Sequence, residues 1–238
     1  MSKIPNISQL MGMAQNMARE MEEQMNGIEV EGNSGGGMVI VKMNGHKHIR
    51  ALAIAKEVAA LGFDEVQFDY LRFPSDGAIG AIVYTEEDTL ETRTAAIREF
   101  IQRVTSALRP YGVFTSADVF GLTVWVSPES DMGIGQRVVD VAPFVDYLCP
   151  MVYPSTFRPS NLGYADPPAH PYEVVYRSQL AAEERVPPTS RVRPWLQAYW
   201  YTLDEMLLQK QAANDAGASG WTFWNAGGVY DEALFAKK

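Results

Sequence analysis

The chain has 238 residues, 47% hydrophobic and 21% charged, enough to bury one large domain or a small one beside a medium one, which excludes a disordered tail or a fibre. Its formal net charge of −9 sets it against phosphate backbones on average, so DNA binding by the chain as a whole is disfavoured. A single cysteine, Cys149, excludes an internal disulfide, and its neighbours Val145, Leu148, Met151 and Val152 read as a buried site rather than a reactive one.

The chain changes character between Asn44 and Arg50. Before that seam Ile7, Leu10, Ala14, Met17, Met21 and Met25 recur at spacings of three and four, which predicts one amphipathic helix stopped by Gly27. Ile28 to Glu31 then alternates apolar with acidic. Gly35, Gly36 and Gly37 permit a tight reversal, and Met38 to Met43 supplies a second strand. The helix "LMGMAQNMAREMEEQM" and the hairpin "IEVEGNSGGGMVIVKMNGHK" resemble the N-terminal half of the YbaB/EbfC nucleoid-associated proteins, small DNA-binding dimers. That resemblance implies DNA as a partner through residues 1–47 only, with a homodimer among the states it allows. The family goes on to a third strand and a long second helix. Here residues 49–61 (IRALAIAKEVAAL) read instead as one helix ending at Gly62. Lys3, Arg19, Lys42 and Lys47 face Glu20, Glu22, Glu23, Glu29 and Glu31, so the segment has no cation cluster of its own.

From Ile49 on, short apolar strands alternate with helical stretches, the pattern of βα units on a parallel sheet. Strands are expected at 65–73, 113–118, 145–152, 193–199 and 220–224, with helices near 94–108, 135–141, 172–184 and 203–216 between them. Five strands predict a partial (β/α)8 barrel, because a closed one needs three more and a hairpin does not replace them. The two edges would stay open, so a fusion, a truncation or an assembly artefact are the readings of the seam. The domain expectation is therefore 1–47 for the helix and hairpin and 48–238 for the barrel portion.

In such barrels the reacting groups sit at the carboxyl ends of the strands. In "GFDEVQFDYLRFPSDG" alternation puts Glu65, Gln67 and Asp69 on one side, so Asp69 is expected at the barrel mouth near Arg72, whose guanidinium would keep it ionised. A structural Asp–Arg pair anchoring the loop is the competing reading. The next strand, in "GVFTSADVFGLTVW", ends at Asp118, the natural second carboxyl group for glycoside hydrolysis. Apolar neighbours Val119, Phe120 and Trp125 are expected to raise its pKa by desolvation; its alternative is an Asp capping the following loop. Asp146 begins a strand and is expected to orient backbone. Tyr153 and Ser155, then Trp195, Gln197 and Tyr199, then Trp224 and Asn225 lie at successive strand ends, where aromatic platforms with nearby amides suit the apolar faces and hydroxyls of sugars.

These motifs, with "CPMVYPS", resemble the bacterial family termed putative glycoside hydrolase domains from about Ile49 to Tyr230. The resemblance implies a (β/α)-barrel acting on a polysaccharide or oligosaccharide, with Asp69 at the signature aspartate and, by analogy with amylase-like barrels, Asp118 as its partner. It implies no cofactor. Its members are often exported, whereas Met1 to Arg19 lacks a signal-peptide apolar region, so the chain as written reads as cytoplasmic. No apolar run reaches bilayer length, and no phosphate-cradling loop or Gly-x-Ser-x-Gly elbow occurs. His46, His48 and His170 are too few and too scattered to form a metal site with Cys149. The alternatives to a glycosidase are a nucleoid-associated DNA-binding protein and a non-catalytic carbohydrate-binding or chimeric fragment.

Overall fold

The computed structural model describes residues 29–34, 39–44, 49–79, 82, 84 and 86–236, with side chains from Ala55 onward. The helix expected over residues 7–25, the glycine reversal at 35–37, and His46 and His48 lie outside them. The chain divides into two compact units, Met1–Phe63 and Asp64–Lys238.

In the first unit β1 (Glu29–Ser34) pairs antiparallel with β2 (Val39–Asn44), from Glu29 opposite Asn44 to Ser34 opposite Val39. This is the expected hairpin. Residues 49–61 are not one helix, however. Ile49–Leu52 forms β3, antiparallel to β2 with a bulge at Lys42/Met43, and only Ala53–Ala60 is helical (α1). A short apolar run has the same periodicity in either state, and the free edge of β2 decides for strand. Gly62 ends the segment in left-handed backbone, φ 88°.

The second unit is an α/β partial barrel. Its parallel sheet runs β4 (Glu65–Phe68), β5 (Phe114–Phe120), β6 (Tyr147–Met151), β8 (Trp195–Gln197) and β9 (Thr222–Trp224), with the two-residue β7 (Arg191–Val192) also on β6. β7 and β8 are one strand interrupted at Pro194, which has no N–H for the ladder; Arg193 N–H still donates to Leu148 O and Val152 N–H to Trp195 O. The sheet is thus five strand positions wide, as the spacing predicts.

Between the strands run α2 (Leu90–Leu108), the single turn α3 (Val138–Val141), α4 (Pro171–Glu183) and α5 (Leu203–Asp215). Ile97, Ile101, Val104 and Leu108 give α2 one buried face, and Thr89 caps it through a reciprocal box with Thr92. Thr202 and Glu205 form the same box on α5. Val174 and Val175 of α4, Ala212 and Ala213 of α5, Leu196 and Phe223 close the core on the helical side of the sheet. No described helix is long and apolar enough to cross a membrane.

Strand β5 sets the geometry at the carboxyl end of the sheet. Its Ala117 and Val119 are fully buried, while the alternate residues Ser116 and Asp118 turn to the other face and are also buried. At the end of β5, a Cβ on Gly121 would stand 2.2 Å from Met151 O, so only glycine lets the loop close down on the end of β6. Cys149 is buried as expected, and burial pushes its thiol up to about 12.

Candidate active site at the strand ends

The inner face of the sheet carries polar side chains in tiers. In the lowest, Glu65 of β4 accepts from Ser116 Oγ at 2.5 Å and from both Nη atoms of Arg193, Nη1 at 2.8 Å. Arg193 also lies over the Tyr147 ring, 4.5 Å from its centroid, and 3.8 Å from Cys149 Sγ. Burial alone would push the Glu65 carboxyl up, but the hydrogen bonds from Arg193 and Ser116 outweigh it and hold the group below its ordinary value.

Asp118 occupies the next tier. Its Oδ1 accepts from Gln67 Nε2 at 2.6 Å and from Trp195 Nε1 at 2.9 Å, so β4, β5 and β8 meet at one carboxyl group. Only 3% of the residue is exposed, yet Oδ2 carries no hydrogen bond and is not sealed from solvent. Burial pushes this carboxyl up to about 7, and the negative charge of Asp69 pushes the same way. The Trp195 and Gln67 donors and the Arg193 charge hold it back. The expected elevation is present, but Trp125 is not its source. That indole packs on the helical side and donates to Ser178 Oγ at 2.9 Å. Removing one donor tests the balance: Trp195→Phe is expected to raise the Asp118 pKa further, read as an upward move of the residue's own titration.

Asp69, one residue beyond β4, is exposed and accepts from Tyr70 N–H at 2.6 Å. The expected Asp69–Arg72 pair is not formed. Arg72 turns away to donate to Ser75 Oγ (2.9 Å) and Phe73 O (3.4 Å), and lies 5.7 Å from the centroid of the Tyr70 ring. The cation that matters to the carboxyl groups is Arg193, which the sequence gives no reason to choose.

Tyr153, half-buried beyond β6, meets the ring of Tyr199 edge to face at 6.0 Å. Burial raises its phenol above the ordinary value, and the Tyr199 phenol and the charges of Asp118 and Asp69 add to it, which puts Tyr153 within electrostatic reach of both carboxyl groups. Trp195 meets Trp224 edge to face at 6.2 Å, and Trp224 is 44% exposed. These aromatics and the two aspartates share one end of the sheet.

Three polar candidates do other work. Gln197 is fully buried with every polar atom taken. Its Oε1 accepts from Ser155 N–H, its Nε2 donates to Tyr199 O, and its backbone is paired both ways with the Gln209 side chain. It ties α5 and the Ser155 loop to β8 instead of facing a ligand. Asn225 clips its own turn, Nδ2 donating to Ala198 O at 2.6 Å and Oδ1 accepting from Gly227 N–H at 2.8 Å. Ser155 Oγ is buried without a hydrogen-bond partner beside the Tyr199 phenol. Asp146 orients backbone, as its position at the start of β6 predicts, accepting from Thr115 N–H at 2.7 Å. A separate cavity of about 260 Å³ lined by Thr123, Ser127, Arg137, Val138, Glu184 and Arg185 includes none of these residues.

Comparison with known proteins matches residues 38–230 to the family described as "Putative glycosyl hydrolase domain" and residues 2–67 to the "YbaB/EbfC DNA-binding family". A nucleoid-associated protein of Chloroflexus aurantiacus is 33% identical over 96 residues, 39% of this chain and 96% of that one. Another from Chloroflexus aggregans is 46% identical over 56 residues, 22% of this chain, and this chain covers 56% of its length. Among solved structures the spore cortex-lytic enzyme SleL of Bacillus megaterium matches with a TM-score of 0.48 at 10% identity, and that of Bacillus cereus with 0.48 at 12%. Each alignment covers 76% of this chain and 50% of the SleL chain.

Proposed function

The chain belongs to the family described as the putative glycosyl hydrolase domain over residues 38–230, with a YbaB/EbfC start at 2–67, and from that premise we propose that its second unit hydrolyses glycosidic bonds in a polysaccharide or oligosaccharide. Two carboxyl groups flanking the scissile bond suffice for that chemistry. Asp118 is the general acid. A carboxyl group with a pKa of about 7 holds its proton in a large share of molecules at neutral pH, and its open Oδ2 is the atom that delivers it to the leaving oxygen. Asp69, exposed at the end of β4, is the carboxylate that meets the anomeric carbon. Tyr153, Tyr199, Trp195 and Trp224 line the approach. The observation that carries this reading is the clamping of Asp118 Oδ1 by Gln67 and Trp195, which fixes one oxygen and leaves the other free beside Asp69.

The test is a screen of the full chain against structural and storage glycans, scored by released reducing ends. Turnover falling away as pH rises through about 7, and lost in Asp118→Asn, is the expected result; a complete screen without turnover contradicts the proposal.

The match of a nucleoid-associated protein over 96% of its length supports a second activity, DNA binding through the first unit. Mobility shift of a duplex by the full chain at low salt, weakening as salt rises, is expected. No retardation even at the lowest salt would remove this reading.

A further inference from the structure

Among the described residues five non-glycines hold left-handed backbone, and two of them, Tyr70 (φ 55°) and Trp200 (φ 61°), are the aromatic residues most open to solvent, at 76% and 86%. Each feature is unfavourable by itself. A Cβ crowds its own carbonyl in that region, and an exposed indole or phenol ring forgoes burial. Local packing returns little: Trp200 touches Tyr199 edge to face at 5.1 Å, and Tyr70 has only the Arg72 guanidinium 5.7 Å away. Strained backbone of this kind gathers at ligand clamps, where binding offsets what folding does not.

Both residues sit just past strand ends, Tyr70 after β4 and Trp200 after β8. These are the two strands whose Gln67 and Trp195 grip Asp118. In sheet order β5, which carries Asp118, lies between them. From Asp118 a continuous aromatic path leads through Tyr153 and Tyr199 to Trp200.

We propose that Tyr70 and Trp200 are stacking platforms for sugar rings on opposite sides of the bond held over Asp69 and Asp118, so that the site takes the interior of an uncharged glycan chain, not its end. The proposal rests on the hydrolase reading for where the bond lies. Rings stacked on both sides need sugar units on both sides, which a terminal residue does not supply. The chain is uncharged because the mouth presents two carboxyl groups while its cations are engaged, Arg72 with Ser75 and Arg193 with Glu65.

Calorimetric titration of the full chain with cello-, xylo- and malto-oligosaccharides of about two to six units, and with oligogalacturonides as the charged control, tests this. Affinity is expected to rise with length for one neutral series and to be weaker for the acidic one. Tyr70→Ala and Trp200→Ala each weaken the longest ligand about tenfold and flatten the length dependence, while Trp200→Phe retains most of the binding. Trp200→Asn binds as poorly as the alanine variant yet melts no lower than wild type, because asparagine tolerates the left-handed backbone and no packing is lost. Length-dependent binding without turnover upholds the platforms and ends the hydrolase reading. Hydrolysis of an aryl disaccharide unchanged in both alanine variants, without length dependence, overturns the platforms and leaves the hydrolase reading standing. Binding of no neutral oligosaccharide, or a Trp200→Asn variant that melts well below wild type, also overturns the proposal.

Discussion

Asp69→Asn is expected to lower glycoside turnover by about 10³-fold or more while leaving the melting temperature within about 1 °C of wild type. The side chain is exposed, and its one described hydrogen bond, from Tyr70 N–H, is one that an amide oxygen accepts equally well. The substitution therefore removes charge and nucleophilicity with little change in shape. Side-by-side kinetics and thermal melts of the purified variant check it. If Asp69 merely anchored the loop, the melting temperature would fall and turnover would survive, as it would for the Asp–Arg anchor that the sequence offers as an alternative. That alternative has lost its arginine, since Arg72 is engaged with Ser75.

Asp118→Asn carries the second large effect, and two signs of it are opposed. Loss of the proton donor is expected to reduce kcat by about 10² to 10⁴. Stability should move the other way. The carboxyl group titrates near 7 in the folded chain against an ordinary value of 3.8. Between those values the folded state holds a proton that the unfolded state has released. The stabilisation is therefore complete below about pH 4 and is lost as pH rises toward 7, where the wild type carries a charge almost out of reach of water. Asparagine has no such charge, and its oxygen still accepts from Gln67 and Trp195. The variant is thus expected to be more stable than wild type at pH 8, on the order of a few kcal/mol and roughly 5 °C or more in melting temperature, with the gap closing toward pH 4. Denaturant titrations at both pH values check this. A variant less stable than wild type at pH 8 would mean that the Asp118 charge is compensated, and that this site is a structural one.

Much of this arrangement is legible in the residues because alternation is local. Glu65, Gln67 and Asp69 share a face for a reason that needs no partner, and the run Val113 to Asp118 ends where β5 needs its polar residue. The hairpin at 29–44 is equally local. What is not legible depends on groups distant in the chain. Ile49–Leu52 becomes a strand because β2 offers it an edge, and the composition of IRALAIAKEVAAL does not say so. Gln197 and Asn225 stand next to aromatics just as sugar-binding amides do; only the positions of Gln209, Ser155 and Gly227 show that their polar atoms are spent on the protein itself. The choice of cation fails for the same reason. Arg72 is three residues from Asp69, whereas the guanidinium that pairs with Glu65 beneath Asp118 comes from the far side of the sheet, where Pro194 splits the strand. Tyr70 and Trp200 have no signature in sequence, because a left-handed backbone at a bulky residue is imposed by the loop around it.

The central claim is that carboxyl groups from β4 and β5 face one another across a single pocket, and it is tested without any substrate. Carbon-13 NMR titration of the Asp118 carboxyl group in the full chain, wild type and Asp69→Asn side by side, reads their interaction directly. The predicted result is a midpoint near 7 in the wild type that moves down when the Asp69 charge is removed. An Asp118 that titrates in the ordinary carboxylate range, or whose midpoint stays in place in Asp69→Asn, would contradict the account.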